Sequence, residues 1–375
     1  MISHARNTLF ENSAQRVVYA YLTSLAACQA QVSASSVSST PRELEDSANQ
    51  LRLFLQGLYE NLYLSPEAFG LPVSPDMCIQ GDENDPKQFK QDVKKHLDKP
   101  KTLIERGMDF LLLVGAAGVL NDSTLLVDQE TYARIVKDCK LKKPFLRGFA
   151  EAGLSISDIG EQVKINSAVY PAMFPAYKSL AGACRLYADP KLGRFHFARG
   201  DLRALDGEFT PSALELYAIF DPIDFERLSR LHSFFTDLNY KPVFQIYGIY
   251  GWEVQYQGPA KIKSSPLVRV EYAQRYKVLL QVFIKCASVN RILDLVYQQP
   301  RFLQDDFSHR VIDCNGDACG WCHDKKGLGP SAFTFDGRTR SICWYHYPGI
   351  PELNEDSLRL IQQYARMHES LAVSA

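Results

Sequence analysis

The 375-residue sequence has no apolar segment long enough to cross a bilayer. Its longest apolar run, residues 110–120, falls short of the roughly 20 residues a spanning helix needs, and it carries Gly115 and Gly118. No membrane segment is expected. Near the N-terminus Arg6, Glu11 and Arg16 break every apolar stretch, which argues against a secretory signal and for a cytoplasmic protein. An excess of charge is missing too: 42 Lys and Arg stand against 43 Asp and Glu, a formal charge of -1. No global field then draws the chain to nucleic acid or anionic lipid, and any such binding needs a local patch. Also absent are a phosphate loop, a dinucleotide-binding glycine pattern, a serine elbow and a His-Glu-x-x-His sequence, so nothing local signals catalysis. Whether the protein is an enzyme stays open at this level.

Hydrophobic residues make up 46% and charged residues 23%, an ordinary globular balance, and the length calls for more than one module. The patterning predicts a mixed α/β chain of α+β type. Val17, Val18, Tyr21, Leu22 and Leu25 recur at helical spacing, as do Leu44, Leu51, Leu55, Leu58 and Leu62, so residues 1–80 read as an N-terminal helical region. Prolines 66, 72, 75 and 86 mark an irregular connection after it. Residues 81–205 form the first α+β unit: a helix from Lys142 to about Ala152, strands near residues 154–156 and 162–165, and a helix from Pro171 to about Tyr187. A second unit, residues 206–305, repeats this α-β-β-α order with four strands, near residues 243–250, 252–256, 267–272 and 278–285, in a mainly antiparallel sheet. Trp252, Val254 and Tyr256 alternate with Glu253 and Gln255, the period of a strand with one covered face. Residues 306–375 hold a cysteine-rich hairpin and a final helix after Asn354.

Nine cysteines, an odd number, argue for reduced thiols rather than a disulfide framework. Cys28, Cys78, Cys139, Cys184 and Cys286 are isolated and read as small buried hydrophobes. The other four, Cys314, Cys319, Cys322 and Cys343, are concentrated around an Asp336-Gly337 turn, a strong hairpin signal. A hairpin centred there puts Cys343 opposite Pro330, and the loop of residues 325–329 can fold the Cys319-Cys322 knuckle back against it so that four thiolates converge. That suits structural Zn2+ in a tetrahedral sulfur site at about 2.3 Å. His346 and His323 are rival fourth ligands. An iron–sulfur cluster is the alternative cofactor, because Cys-x4-Cys-x2-Cys is a known cluster spacing, and thiols without metal are a third reading.

Two weaker constellations bear on ligands. The segment from Gly193 to Arg203 alternates charge and aromatics, and as a strand it would offer Arg199, Asp201 and Arg203 to a phosphate or carboxylate, or simply form surface ion pairs. Trp252 and Tyr256 belong to an aromatic run that would line a pocket or fill a core. Lys137, Lys140, Lys142, Lys143 and Arg147 cluster in sequence but read first as a solvated helix face. The expectation is a small-ligand-binding or sensor protein of unknown specificity with a zinc hairpin. The alternatives are a zinc-containing nucleic-acid-binding protein, disfavoured by the neutral charge, and a redox or metal-dependent enzyme with an iron–sulfur centre.

Overall fold

The computed structural model describes residues 42–72, 98–207, 209–217, 222–246, 252–258, 268–274, 277–282, 289–310, 331–335, 337–342, 349–350 and 353–373, with residue 91 and scattered positions from 14 to 28. The chain divides into two compact units, the first mainly of residues up to Thr210 and the second mainly from Pro211 onward. Helices and antiparallel sheets make up both, the mixed class that the patterning predicts.

In the first unit the described positions of residues 14–28 are helical (α1). α2 (Arg42–Leu64) follows. Ala48, Leu51, Leu55, Leu58 and Leu62 recur every three or four positions and are all buried. Burying each such leucine is worth about 1.5–3 kcal/mol, enough to hold the helix by its stripe. After a 3-10 turn (Pro66–Phe69) comes α3 (Lys99–Ala117), which absorbs most of the longest apolar run into the interior. Its partner is α6 (Phe174–Arg185), where the Tyr177 hydroxyl donates to the Leu111 carbonyl at 2.6 Å. Among the described residues no helix is long and apolar enough to cross a membrane.

A four-stranded antiparallel sheet of order β1-β2-β4-β3 completes this unit: β1 (Val119–Asn121), β2 (Thr124–Asp128), β3 (Ser155–Ile159) and β4 (Gln162–Asn166). Leu125, Val127, Val163 and Ile165 turn one face of it into the core. α4 (Gln129–Asp138) and α5 (Lys143–Glu151) lie between β2 and β3 in sequence. β1 and β2 escape the sequence pattern because Val119 and Leu120 continue the apolar run of α3 without a break. The helix stops only at Gly118, whose N–H bonds the Val114 carbonyl while its backbone turns extended. α7 (Pro190–Ala198) and a second 3-10 turn (Leu202–Asp206) end the unit.

The second unit begins with α8 (Ala213–Tyr217) and α9 (Pro222–Asp237). β5 (Lys241–Ile246), β6 (Trp252–Gln257), β7 (Val268–Gln274) and β8 (Lys277–Val282) form a meander close to the expected strands, and β11 (Gly349–Ile350) adds a fifth strand beside β8. The face that carries Tyr256 is covered as expected: Phe235 of α9 stacks on its ring with centroids 4.7 Å apart. α10 (Val289–Tyr297) and α11 (Arg301–Arg310) lead to the hairpin of β9 (Ser331–Phe335) and β10 (Arg338–Ile342). Phe335 pairs with Arg338 across the Asp336-Gly337 turn, the predicted register. α12 (Glu355–Val373) starts with a reciprocal cap, in which Ser357 N–H bonds Asn354 Oδ1 at 2.9 Å and Asn354 N–H bonds Ser357 Oγ at 2.7 Å. Its buried face carries Leu358, Ile361, Tyr364 and Ala365.

Candidate functional site

Arg199, Asp201 and Arg203 do not sit on a surface strand. Asp189 caps a helix start by accepting from Lys191 N–H at 2.9 Å, Pro190 opens the first turn, and the chain from there to Ala198 is α7. The alternation of Arg194, His196 and Ala198 with Phe195 and Phe197 imitates a strand, but the cap and the proline decide for helix. Arg199 ends α7, Gly200 reverses the chain at φ +59°, and Asp201 caps the 3-10 turn that follows. A side chain at Gly200 would be strained at that φ and would meet Arg52 Cγ at 2.8 Å, so the corner requires glycine.

This corner is buried rather than exposed. His196 and Asp201 are 0% exposed, Arg199 is 1% and Arg52 of α2 is 6%. Arg203 clasps Asp201 with two prongs, Nε to Oδ1 at 2.8 Å and Nη2 to Oδ2 at 3.0 Å. The Arg203 fork is thereby committed, and its other face lies 4.4 Å from the Phe209 ring centroid. His196 donates through Nε2 to the Phe209 carbonyl at 3.0 Å, and its Nδ1 lies 3.4 Å from Asp201 Oδ2, within ion-pair reach but long for a hydrogen bond. Burial raises the Asp201 carboxyl, but the nearby His196 ring, the hydrogen bonds from Arg203 and the charges of Arg199 and Arg203 together outweigh it and hold the group well below the usual carboxylate range. Asp201 is therefore the fixed anion of the corner.

Two further elements close on it. Arg199 Nε donates to the Ser24 carbonyl of α1 at 3.3 Å, with its guanidinium over the Phe195 ring. Arg52 Nε donates to the Gly200 carbonyl at 3.2 Å and its Nη1 to Asn49 Oδ1 at 3.1 Å. The Cys28 thiol is pushed up to about 11, first by burial and then by the Asp201 charge, so it stays a neutral thiol. Neither Ser24 nor Arg52 stands out in the sequence. They lie far from the corner in the chain, and nothing in a leucine-striped helix marks one arginine as buried.

The other candidate residues fall in the second unit. Tyr256 is 0% exposed, and its hydroxyl lies 2.8 Å from that of Tyr217 and 2.8 Å from His232 Nδ1. Burial lowers the His232 pKa and raises that of Tyr256. This polar chain joins α8, α9 and β6. Trp252 lies on β6, and its side chain lies outside what the structure describes. Cys314, Cys319, Cys322 and Cys343, with the rivals His323 and His346, also lie outside the described residues. Among the described residues no group of three His, Cys, Asp or Glu side chains is placed to hold a metal ion. Lys137 of α4, Lys140 and Lys142 of the turn after it, and Lys143 and Arg147 of α5 are all exposed. Comparison of the chain with protein-family models, curated proteins and solved structures yields no match.

Proposed function

We propose that the protein binds a small ligand, as a carrier or sensor, at the charged corner formed by α1, α2, α7 and the 3-10 turn after it. We further propose that zinc on Cys314, Cys319, Cys322 and Cys343 stabilises the C-terminal region. One observation carries the first reading: ionised side chains from separate elements, Arg52, Arg199, Asp201 and Arg203, meet in the interior. Apolar residues of similar volume commonly stabilise a fold as well as such a group does, so packing alone gives little reason for it. Ligand recognition is a reason, since buried charges discriminate strongly between partners. The zinc reading rests on cysteine spacing and gains support from the hairpin: Ile342 pairs with Ser331 at its open end, and Cys343 is the next residue.

Protein purified without chelator should contain about one zinc per chain and be colourless. Brown protein with stoichiometric iron would replace zinc by a cluster. Thermal-shift screening against a panel of acidic and neutral small molecules should find compounds that raise the melting temperature, with the response reduced in Asp201→Asn. A panel in which nothing stabilises the protein, or a variant that responds like the wild type, would refute the ligand-site reading.

A further inference from the structure

Within the corner the donors of Arg203 are directed at Asp201, but Arg52 is differently placed. Its Nε and Nη1 reach neutral acceptors, the Gly200 carbonyl and the Asn49 side chain, and its Nη2 is buried with no hydrogen-bond acceptor among the described residues. Among the described residues no carboxylate pairs with it. Ser24 Oγ, in a residue 5% exposed, is likewise buried with no hydrogen-bond partner among the described residues. The two belong to one place: Ser24 accepts from Arg199 through its carbonyl, and Arg52 donates to Gly200, the next residue. Cys28, one helical turn after Ser24, lies within electrostatic reach of Arg52, Arg199, Asp201 and Arg203.

An orphaned hydroxyl alone would call for an ordered water. A guanidinium is different. It is permanently charged, and burying it without a counter-charge carries a desolvation penalty of several kcal/mol that a neutral water does not offset. A planar guanidinium with N–H groups to spare and a hydroxyl donor, both held at the Arg199–Gly200 corner, suit the oxygen atoms of phosphate or carboxylate through charge-assisted hydrogen bonds.

We propose, resting on the ligand-site reading above, that Arg52 Nη2 and Ser24 Oγ form an oxyanion subsite, and that the ligand is a small molecule bearing a phosphate or carboxylate group. Arg203 and Asp201 set the shape of the corner, while Arg52 and Ser24 make the contact.

The test uses the full chain, with inorganic phosphate and acetate as probes and sodium chloride at matched ionic strength as the control. Phosphate or acetate should raise the melting temperature above the chloride control and show saturable binding by calorimetry. Whichever probe binds more tightly identifies the head group. Ser24→Ala, which leaves the corner packed, should weaken that binding about tenfold, and Arg52→Gln about a hundredfold, in line with the worth of hydrogen bonds to a charged group. If Arg52→Gln fails to fold, Ser24→Ala alone decides. Anion binding unchanged in the variants would overturn the subsite. Stabilisation by neutral compounds but by neither anion would overturn the oxyanion class and leave the ligand-site reading standing. Absence of any ligand response would remove both, leaving only an ordered water at Arg52.

Discussion

The Tyr256 hydroxyl stands between two partners at hydrogen-bond distance, and their chemistry fixes the direction of the chain. With neutral His232 accepting through Nδ1, Tyr256 donates to the imidazole and Tyr217 donates to Tyr256, so each hydroxyl proton is used. Protonating His232 reverses the order and leaves the Tyr217 hydroxyl proton without an acceptor among the described residues, at a cost of about 1–3 kcal/mol. Burial also lowers the His232 pKa below the free value of 6.5. A depressed histidine pKa means that the folded state holds fewer protons than the unfolded chain just below 6.5. Stability is therefore complete above that pH and falls as pH drops toward the folded value. The urea midpoint of the second unit should decline between pH 8 and 5, where ~6.5 is crossed. His232→Gln should flatten that decline, and Tyr256→Phe should weaken it while lowering stability at pH 8 by about 1–3 kcal/mol. A midpoint that rises on acidification, or a slope retained in His232→Gln, contradicts the proposed chain.

Among the elements, α6 and α7 make the closest approach that bears on the charged corner. A Cβ on Gly193 of α7 would lie 2.1 Å from the Cys184 carbonyl oxygen of α6, a backbone atom that no rotamer change can move. Gly193→Ala should therefore part the two helices and cost about 3 kcal/mol, at the upper end for overpacking. Because the corner begins where α7 ends, any ligand response should fall with it. Gly182 on the same α6 has nothing within 4 Å of its Cβ position and is the control. There alanine should be neutral or stabilising by up to about 1 kcal/mol through helix propensity. Chemical denaturation of both variants checks the pair, and equal destabilisation would mean that the close approach is not what matters.

For the whole molecule, the proposed zinc site would tie distant parts of the chain together in the C-terminal region. Three of the proposed thiolates precede β9 in sequence and the fourth follows β10. Cys343→Ser removes the long-range ligand, so zinc should be lost and protease cleavage after residue 300 should rise. Cys28→Ser and Cys184→Ser, at buried thiols of the first unit, should leave metal content intact. α12 should loosen together with the hairpin if metal loss spreads through the unit, which hydrogen exchange over residues 355–373 would detect. Full zinc retention by Cys343→Ser would transfer the fourth position to His346 or His323, or remove the site altogether.

Elements that rest on local periodicity and caps are readable from the chain alone. The leucine stripe of α2, the helices at residues 174–185 and 222–237, the β5–β8 meander and the Asp336-Gly337 hairpin all follow from neighbours within a few positions. The chain also contains the cap that makes residues 190–198 a helix: Asp189 followed by Pro190. The fate of the charges depends on long-range packing. Arg52 and Gly200 are 148 positions apart and Ser24 and Arg199 are 175, and no local pattern tells a buried arginine from a solvated one. Burial is a property of the assembled core. It turned a string of alternating charges, legible as a surface strand, into an interior corner where one carboxylate is held ionised and Nη2 of Arg52 has no acceptor among the described residues.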